Sequence, residues 1–97
     1  MKPSEVLEKN RQAIREATTR FNAANPRVFG SVARGEDRPD SDLDILVDAL
    51  PGTTLFDLGG LQVELERIFG GIKVDLATSG SLRSSMRNRV LAEAKAI

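Results

Sequence analysis

Phe29-Gly-Ser-Val-Ala-Arg-Gly-Glu-Asp-Arg-Pro-Asp-Ser-Asp-Leu-Asp-Ile-Leu-Val47 is the stretch from which the chain is best read. Near its end Leu43, Ile45 and Val47 alternate with Asp42, Asp44, Leu46 and Asp48. A period of two is the mark of a strand with one face in a core. Three of the four positions on the other face are acidic. At its start, Arg27 to Phe29 reads as a short extended segment that breaks at Gly30-Ser31. The polar run from Arg34 to Ser41 reads as a turn or short helix plus loop.

Upstream, Leu7, Ile14, Ala17 and Phe21 fall on one helical face, which predicts an amphipathic helix over Ser4 to Ala24, capped by Ser4 and stopped by Asn25-Pro26. Downstream, Pro51-Gly52 closes the acidic strand. Thr53 or Thr54 can cap a helix through Leu58, Leu61, Leu65, Ile68 and Phe69 that ends at Gly70-Gly71. Gly59-Gly60 inside it costs roughly 1 kcal/mol per glycine relative to alanine, which points to close packing or a loose first turn. Lys73 to Ala77 reads as a strand with Val74 and Leu76 facing inward and Asp75 outward. Ser81 then caps a last helix whose stripe of Leu82, Met86, Val90 and Ala94 would cover the sheet. The expected fold is α+β in two layers, a small mixed sheet packed against helices, as a single domain over 1–97.

Composition removes several chemistries. With neither cysteine nor histidine, the chain has no disulfide, thiolate or imidazole ligand and no Ser-His-Asp triad, so acid-base or metal chemistry falls to carboxylates. Fourteen basic residues balance fourteen acidic ones, so net charge selects no partner. No apolar run approaches ~20 residues and no signal peptide is visible, so a cytoplasmic protein is expected, away from any membrane. Arg83, Arg87, Arg89 and Lys73 could form a basic rim for RNA or an acidic protein. Trp and Tyr are absent and the four Phe residues sit at apolar positions of predicted core elements, so nothing interleaves for base stacking. A solvated helix face is the preferred reading, and no nucleic-acid partner is expected.

Residues two apart on a strand point the same way with Cα atoms roughly 6.6 Å apart, so Asp42 and Asp44 present adjacent carboxylates. A divalent cation relieves their repulsion, and oxygen-only ligands suit Mg²⁺ or Mn²⁺. Asp75 would complete a three-carboxylate cluster if its strand neighbours theirs. Three such groups can bridge two metals roughly 3.5 to 4 Å apart, as in phosphoryl or nucleotidyl transfer. Where a strand ends in Gly30-Ser31, backbone N–H groups and a hydroxyl can hold phosphate oxygens, and glycine lets the backbone come close. Arg34 either touches those phosphates or faces solvent. Asp40, after Pro39, reads as a turn residue and Asp48 as too far along the strand; neither is placed in the site.

Gly30-Ser31, ten intervening residues and Asp42-Leu43-Asp44 resemble the Gly-Ser and Asp-x-Asp signature of the DNA polymerase β-like nucleotidyltransferases. The wider run from Phe29 to Val47, with Lys73-Val74-Asp75-Leu76, is similar to the small prokaryotic branch called minimal nucleotidyltransferases. The resemblance implies that Asp42 and Asp44 bind two Mg²⁺, that Gly30 and Ser31 hold the β- and γ-phosphates of ATP, and that Asp75 ligates the catalytic metal and helps to deprotonate the attacking hydroxyl. AMP would pass to a hydroxyl of a partner, in this branch a HEPN-domain toxin, making the chain an antitoxin that adenylylates its toxin. The alternative is a non-catalytic antitoxin or nucleotide-binding module that acts by forming a complex. A homo- or hetero-oligomer fits either reading.

Overall fold

A computed structural model describes residues 1–97. The acidic strand, β2 (Leu43–Ala49), has β1 (Ala23–Phe29) antiparallel on one side and β3 (Val74–Thr78) parallel on the other. A two-residue strand, β4 (Lys95–Ala96), pairs antiparallel with β1 and completes a mixed sheet ordered β3-β2-β1-β4. Leu43, Ile45 and Val47 are fully buried, as their alternation predicts. They share one cluster with Ile14 and Ala17 of α2 (Arg11–Arg20) and with Leu61, Leu65 and Phe69 of α4 (Leu55–Phe69). Each large side chain so buried contributes roughly 1.5–3 kcal/mol.

Parallel strands cannot be joined by a tight turn, and α4 is the crossover that brings β3 beside β2. Its ends are the ones the sequence predicts. Thr54 Oγ1 accepts the Asp57 N–H (3.1 Å) while the Asp57 carboxylate accepts the Thr54 N–H (3.0 Å). Gly70, at φ 58°, closes the helix in the left-handed conformation.

The N-terminal helix departs from expectation. It is two helices, α1 (Pro3–Lys9) and α2, broken at Asn10, whose side chain donates to the Val6 carbonyl (2.8 Å) in competition with the backbone. Lys2, not Ser4, is the N-cap, because Pro3 takes the first helical position where no N–H is needed. The Ser4 N–H donates instead to the Asp37 carboxylate (2.9 Å), which ties α1 to the loop after Gly35. Asn25-Pro26 does not stop α2, which ends before Asn22 at φ 59°. The pair lies inside β1 at a register irregularity between Ala24 and Arg27, a place where the missing proline N–H costs no ladder bond.

The C-terminal third departs further. Ser81 caps no long helix; it exchanges hydrogen bonds with Thr78 in a 3₁₀ turn over Ser79–Ser81. The last helix, α5 (Ser84–Glu93), starts after an extended Arg83. Leu82 and Ala94 therefore fall outside it, Met86 is 38% exposed, and Val90 alone is buried, so the expected stripe does not cover the sheet. Phe56, expected in the core, is 92% exposed at the start of α4. No helix is long and apolar enough to cross a membrane.

The two adjacent glycines of α4 differ in surroundings. A Cβ on Gly60 would lie 2.5 Å from Cε1 of Phe21, whereas one on Gly59 would meet nothing within 4 Å. Gly59→Ala should raise unfolding free energy by roughly 0.5–1 kcal/mol and Gly60→Ala should lower it, although both replace a helical glycine by the best helix former. Urea denaturation of the two variants checks the opposite signs.

Candidate active site

Strand register assembles the site. Asp44 is paired with Phe29 across the antiparallel ladder and with Asp75 across the parallel one, so Phe29, Asp44 and Asp75 form one row over three strands. Gly30 follows Phe29 directly and opens the short helix α3 (Gly30–Arg34). The Gly-Ser turn and the carboxylates, far apart in sequence, are thereby side by side. Asp42 comes just before Leu43, which pairs with Val74 and whose N–H donates to the Lys73 carbonyl (2.9 Å).

Gly30 sits at φ 71°, and a Cβ there would overlap Oδ2 of Asp44 and lie 3.1 Å from its Cγ. Glycine is required twice, for backbone conformation and for the carboxylate's space. Burial, with the negative charges of Asp75 and Asp42, pushes the Asp44 carboxyl up to about 6, against a pull downward from Arg34. Lys73 Nζ lies 3.9 Å from Asp42 Oδ2 and 3.9 Å from Asp75 Oδ1, a loose bridge between two exposed carboxylates. These side chains do not converge on one point as a finished metal cage. Their chemistry nevertheless fits a hard divalent cation: oxygen donors only, on one face, with Asp44 carrying a charge that its neighbours oppose.

The turn itself is engaged by a group the sequence reading did not identify. The Gly30 N–H donates to Glu93 Oε1 (3.1 Å), and Arg34 Nη1 donates to Glu93 Oε2 (3.0 Å). Arg34 Nε also donates to Glu36 (3.1 Å). Arg34 is 46% exposed and is shared between Glu36 and Glu93. The helix that delivers Glu93 was expected, but its partner is 63 residues away and no periodicity reports such a pair. Asp48 shares the open face with Asp44 and is occupied elsewhere, accepting from Arg27 Nη2 (2.7 Å), Ser79 Oγ (2.7 Å) and Asn25 Nδ2 (3.2 Å). Asp40 is exposed in a turn. None of these residues lines either surface groove, one along α2 and one between α4 and β3. The candidate site is thus an open sheet surface.

Two stability effects follow. Because the folded-state pKa of Asp44 lies above the ordinary 3.8, its ionised form opposes folding, and that opposition fades as pH falls through about 6. Asp44→Asn should therefore stabilise the metal-free protein at pH 7 by about 1 kcal/mol after allowance for solvent screening, a rise of a few degrees in Tm by calorimetry in EDTA. Gly30→Ala should destabilise it by roughly 1–3 kcal/mol in the same measurement.

The sequence profile of the nucleotidyltransferase domain matches residues 10–97. The chain is 39% identical over 88 residues to protein adenylyltransferase MntA of Thermococcus cleftensis, an alignment spanning 91% of this chain and 85% of that protein. It superposes with a TM-score of 0.86 on a solved structure provisionally named a minimal nucleotidyltransferase, at 42% identity, covering 97% of this chain and 95% of that one. A toxin-antitoxin structure with AMP-PNP shares the fold at a TM-score of 0.75 and 22% identity, over 90% of this chain and 71% of that one. The matches cover the row of Asp44 and Asp75, the turn at Gly30 and the sheet that joins them, and the chain belongs to the nucleotidyltransferase domain family, in the minimal branch of the polymerase β-like superfamily.

Proposed function

We propose that this chain is a cytoplasmic protein adenylyltransferase that moves AMP from ATP to a hydroxyl of a partner protein, a HEPN-domain toxin for which it is the antitoxin. The row that sets Asp44 between Asp75 and the Gly30 turn carries this reading, since it puts an acidic, cation-seeking patch against a turn that already holds an anion. The relative in Thermococcus cleftensis bears the name of a protein adenylyltransferase, and the fold recurs in a toxin-antitoxin structure with AMP-PNP.

In this reading Asp42, Asp44 and Asp75 hold Mg²⁺, two ions for the three carboxylates. When bound, Mg²⁺ offsets their mutual repulsion and lowers the pKa of the attacking hydroxyl. The Gly30 N–H, the Ser31 hydroxyl and Arg34 donate to the β- and γ-phosphates. The acceptor oxygen attacks the α-phosphorus, its proton passes to Asp75, and the bond to the bridging oxygen breaks to release pyrophosphate. Without histidine in the chain, a carboxylate is the base available for that proton.

The test is incubation with Mg²⁺ and each labelled nucleoside triphosphate, with and without the toxin. Label from ATP should appear on the toxin with the wild-type chain and fall at least ~10²-fold with Asp42→Asn/Asp44→Asn. Mg²⁺ should also raise the Tm of the wild type and leave that of the double variant unmoved. Complex formation with no transfer from any nucleotide would replace adenylylation by simple blocking of the toxin.

A further inference from the structure

Glu93 takes up two hydrogen-bond donors of the Gly30 turn. Its two oxygens divide between a backbone N–H and a guanidinium, accepting from Gly30 (3.1 Å) and Arg34 (3.0 Å), an arrangement equally suited to two oxygens of a phosphate. Its side chain is only 20% exposed. Burial works against its charge, but the Gly30 amide, Arg34 and Arg89 together hold its carboxyl below the ordinary carboxylate range. It is thus a full anion at neutral pH. Glu93 is the last residue of α5, a helix with one buried side chain, and Ala94 beyond it is extended. Rotation about its own side-chain bonds can free both donors without moving the chain that follows, which β4 and the buried Ile97 hold to β1.

Resting on the proposed use of Gly30 and Arg34 as phosphate holders, we propose that Glu93 is a resident anion in the phosphate turn, which a nucleotide must displace before its own phosphate is held there. While it stays, it keeps the Gly30 N–H and the Arg34 guanidinium aimed at the anion position. When a triphosphate arrives, two negative groups compete for one pair of donors, so Glu93 sets nucleotide affinity from outside the set of candidate metal ligands. Glu93→Gln retains an oxygen for one donor and loses the charge, so it weakens the competitor without emptying the position.

Calorimetric titration of wild type, Glu93→Gln and Glu93→Ala with Mg-ATP, and separately with tripolyphosphate, tests the idea. Both ligands should bind Glu93→Gln about 5-fold or more tightly than wild type, a difference of roughly 1 kcal/mol. The Tm of the ligand-free variant should fall slightly, because the Arg34 pair is lost. Tighter binding by a less stable protein is an outcome that a purely structural Glu93 cannot give. If wild type binds Mg-ATP while both variants bind it equally or more weakly, Glu93 is an anchor for α5 and the proposal fails with the nucleotide reading intact. If no form binds Mg-ATP or tripolyphosphate, the phosphate role of the turn fails and takes the proposal with it.

Discussion

The contact between Asp44 and Gly30 is the constraint around which the rest is arranged. A carboxylate can lie against the backbone there because position 30 has no side chain and because the chain turns at φ 71°. That requires β1 to end where it does, opposite Asp44, and the β1–β2 register fixes this through the pair Phe29 and Asp44. The parallel register with β3 then places Asp75 on the other side of the same carboxylate. Slipping β2 by one residue would turn its acids into the apolar layer that Leu43, Ile45 and Val47 now fill. The burial of those three side chains is thus also what aims the aspartates.

The same arrangement leaves the protein with electrostatic work undone. Asp44 is partly buried beside two other carboxylates, and the one lysine near them, Lys73, sits at 3.9 Å from Asp42 and from Asp75. Asp48, four residues further along the same face, shows the contrast: Arg27, Ser79 and Asn25 satisfy it, and its carboxyl is held low. Two aspartates of one strand, on one face, are thus treated oppositely by their surroundings. The fold neutralises one and leaves the other opposed by its neighbours.

What could be read in the sequence was what has short periods or local chemistry. The alternation from Asp42 to Asp48, the Thr54 cap, the Gly70 stop and the break at Gly30 all depend on near neighbours, and all stand in the structure. Misreadings occur where a distant partner decides. Asn25-Pro26 reads as a helix stop, but β2 holds it in a strand through a bulge. β4 is too short to have a period, and it exists because β1 offers an edge and Arg11 and Arg15 hold the carbonyls of Ala96 and Ile97. Glu93 was unreadable for the same reason, since its meaning lies in the Gly30 amide and not in its neighbours on α5. The apolar spacing of α5 misled outright, because two of the four stripe residues belong to extended chain on either side of the helix, Leu82 before it and Ala94 after it.

β3 lies at the margin of the sheet, with no strand beyond it. An unpaired margin usually invites another strand to add, and here Lys73 and Asp75 place charges along it while the Gln62 side chain donates to the Val74 carbonyl (2.6 Å). Those groups discourage self-association through that margin. They leave Asp75 reachable from the side, without a cleft to enter. Under the proposed function, a reacting group carried on a bulky folded surface can therefore approach broadside, and steric selection of what comes near passes from the walls of a pocket to the shape of the visitor.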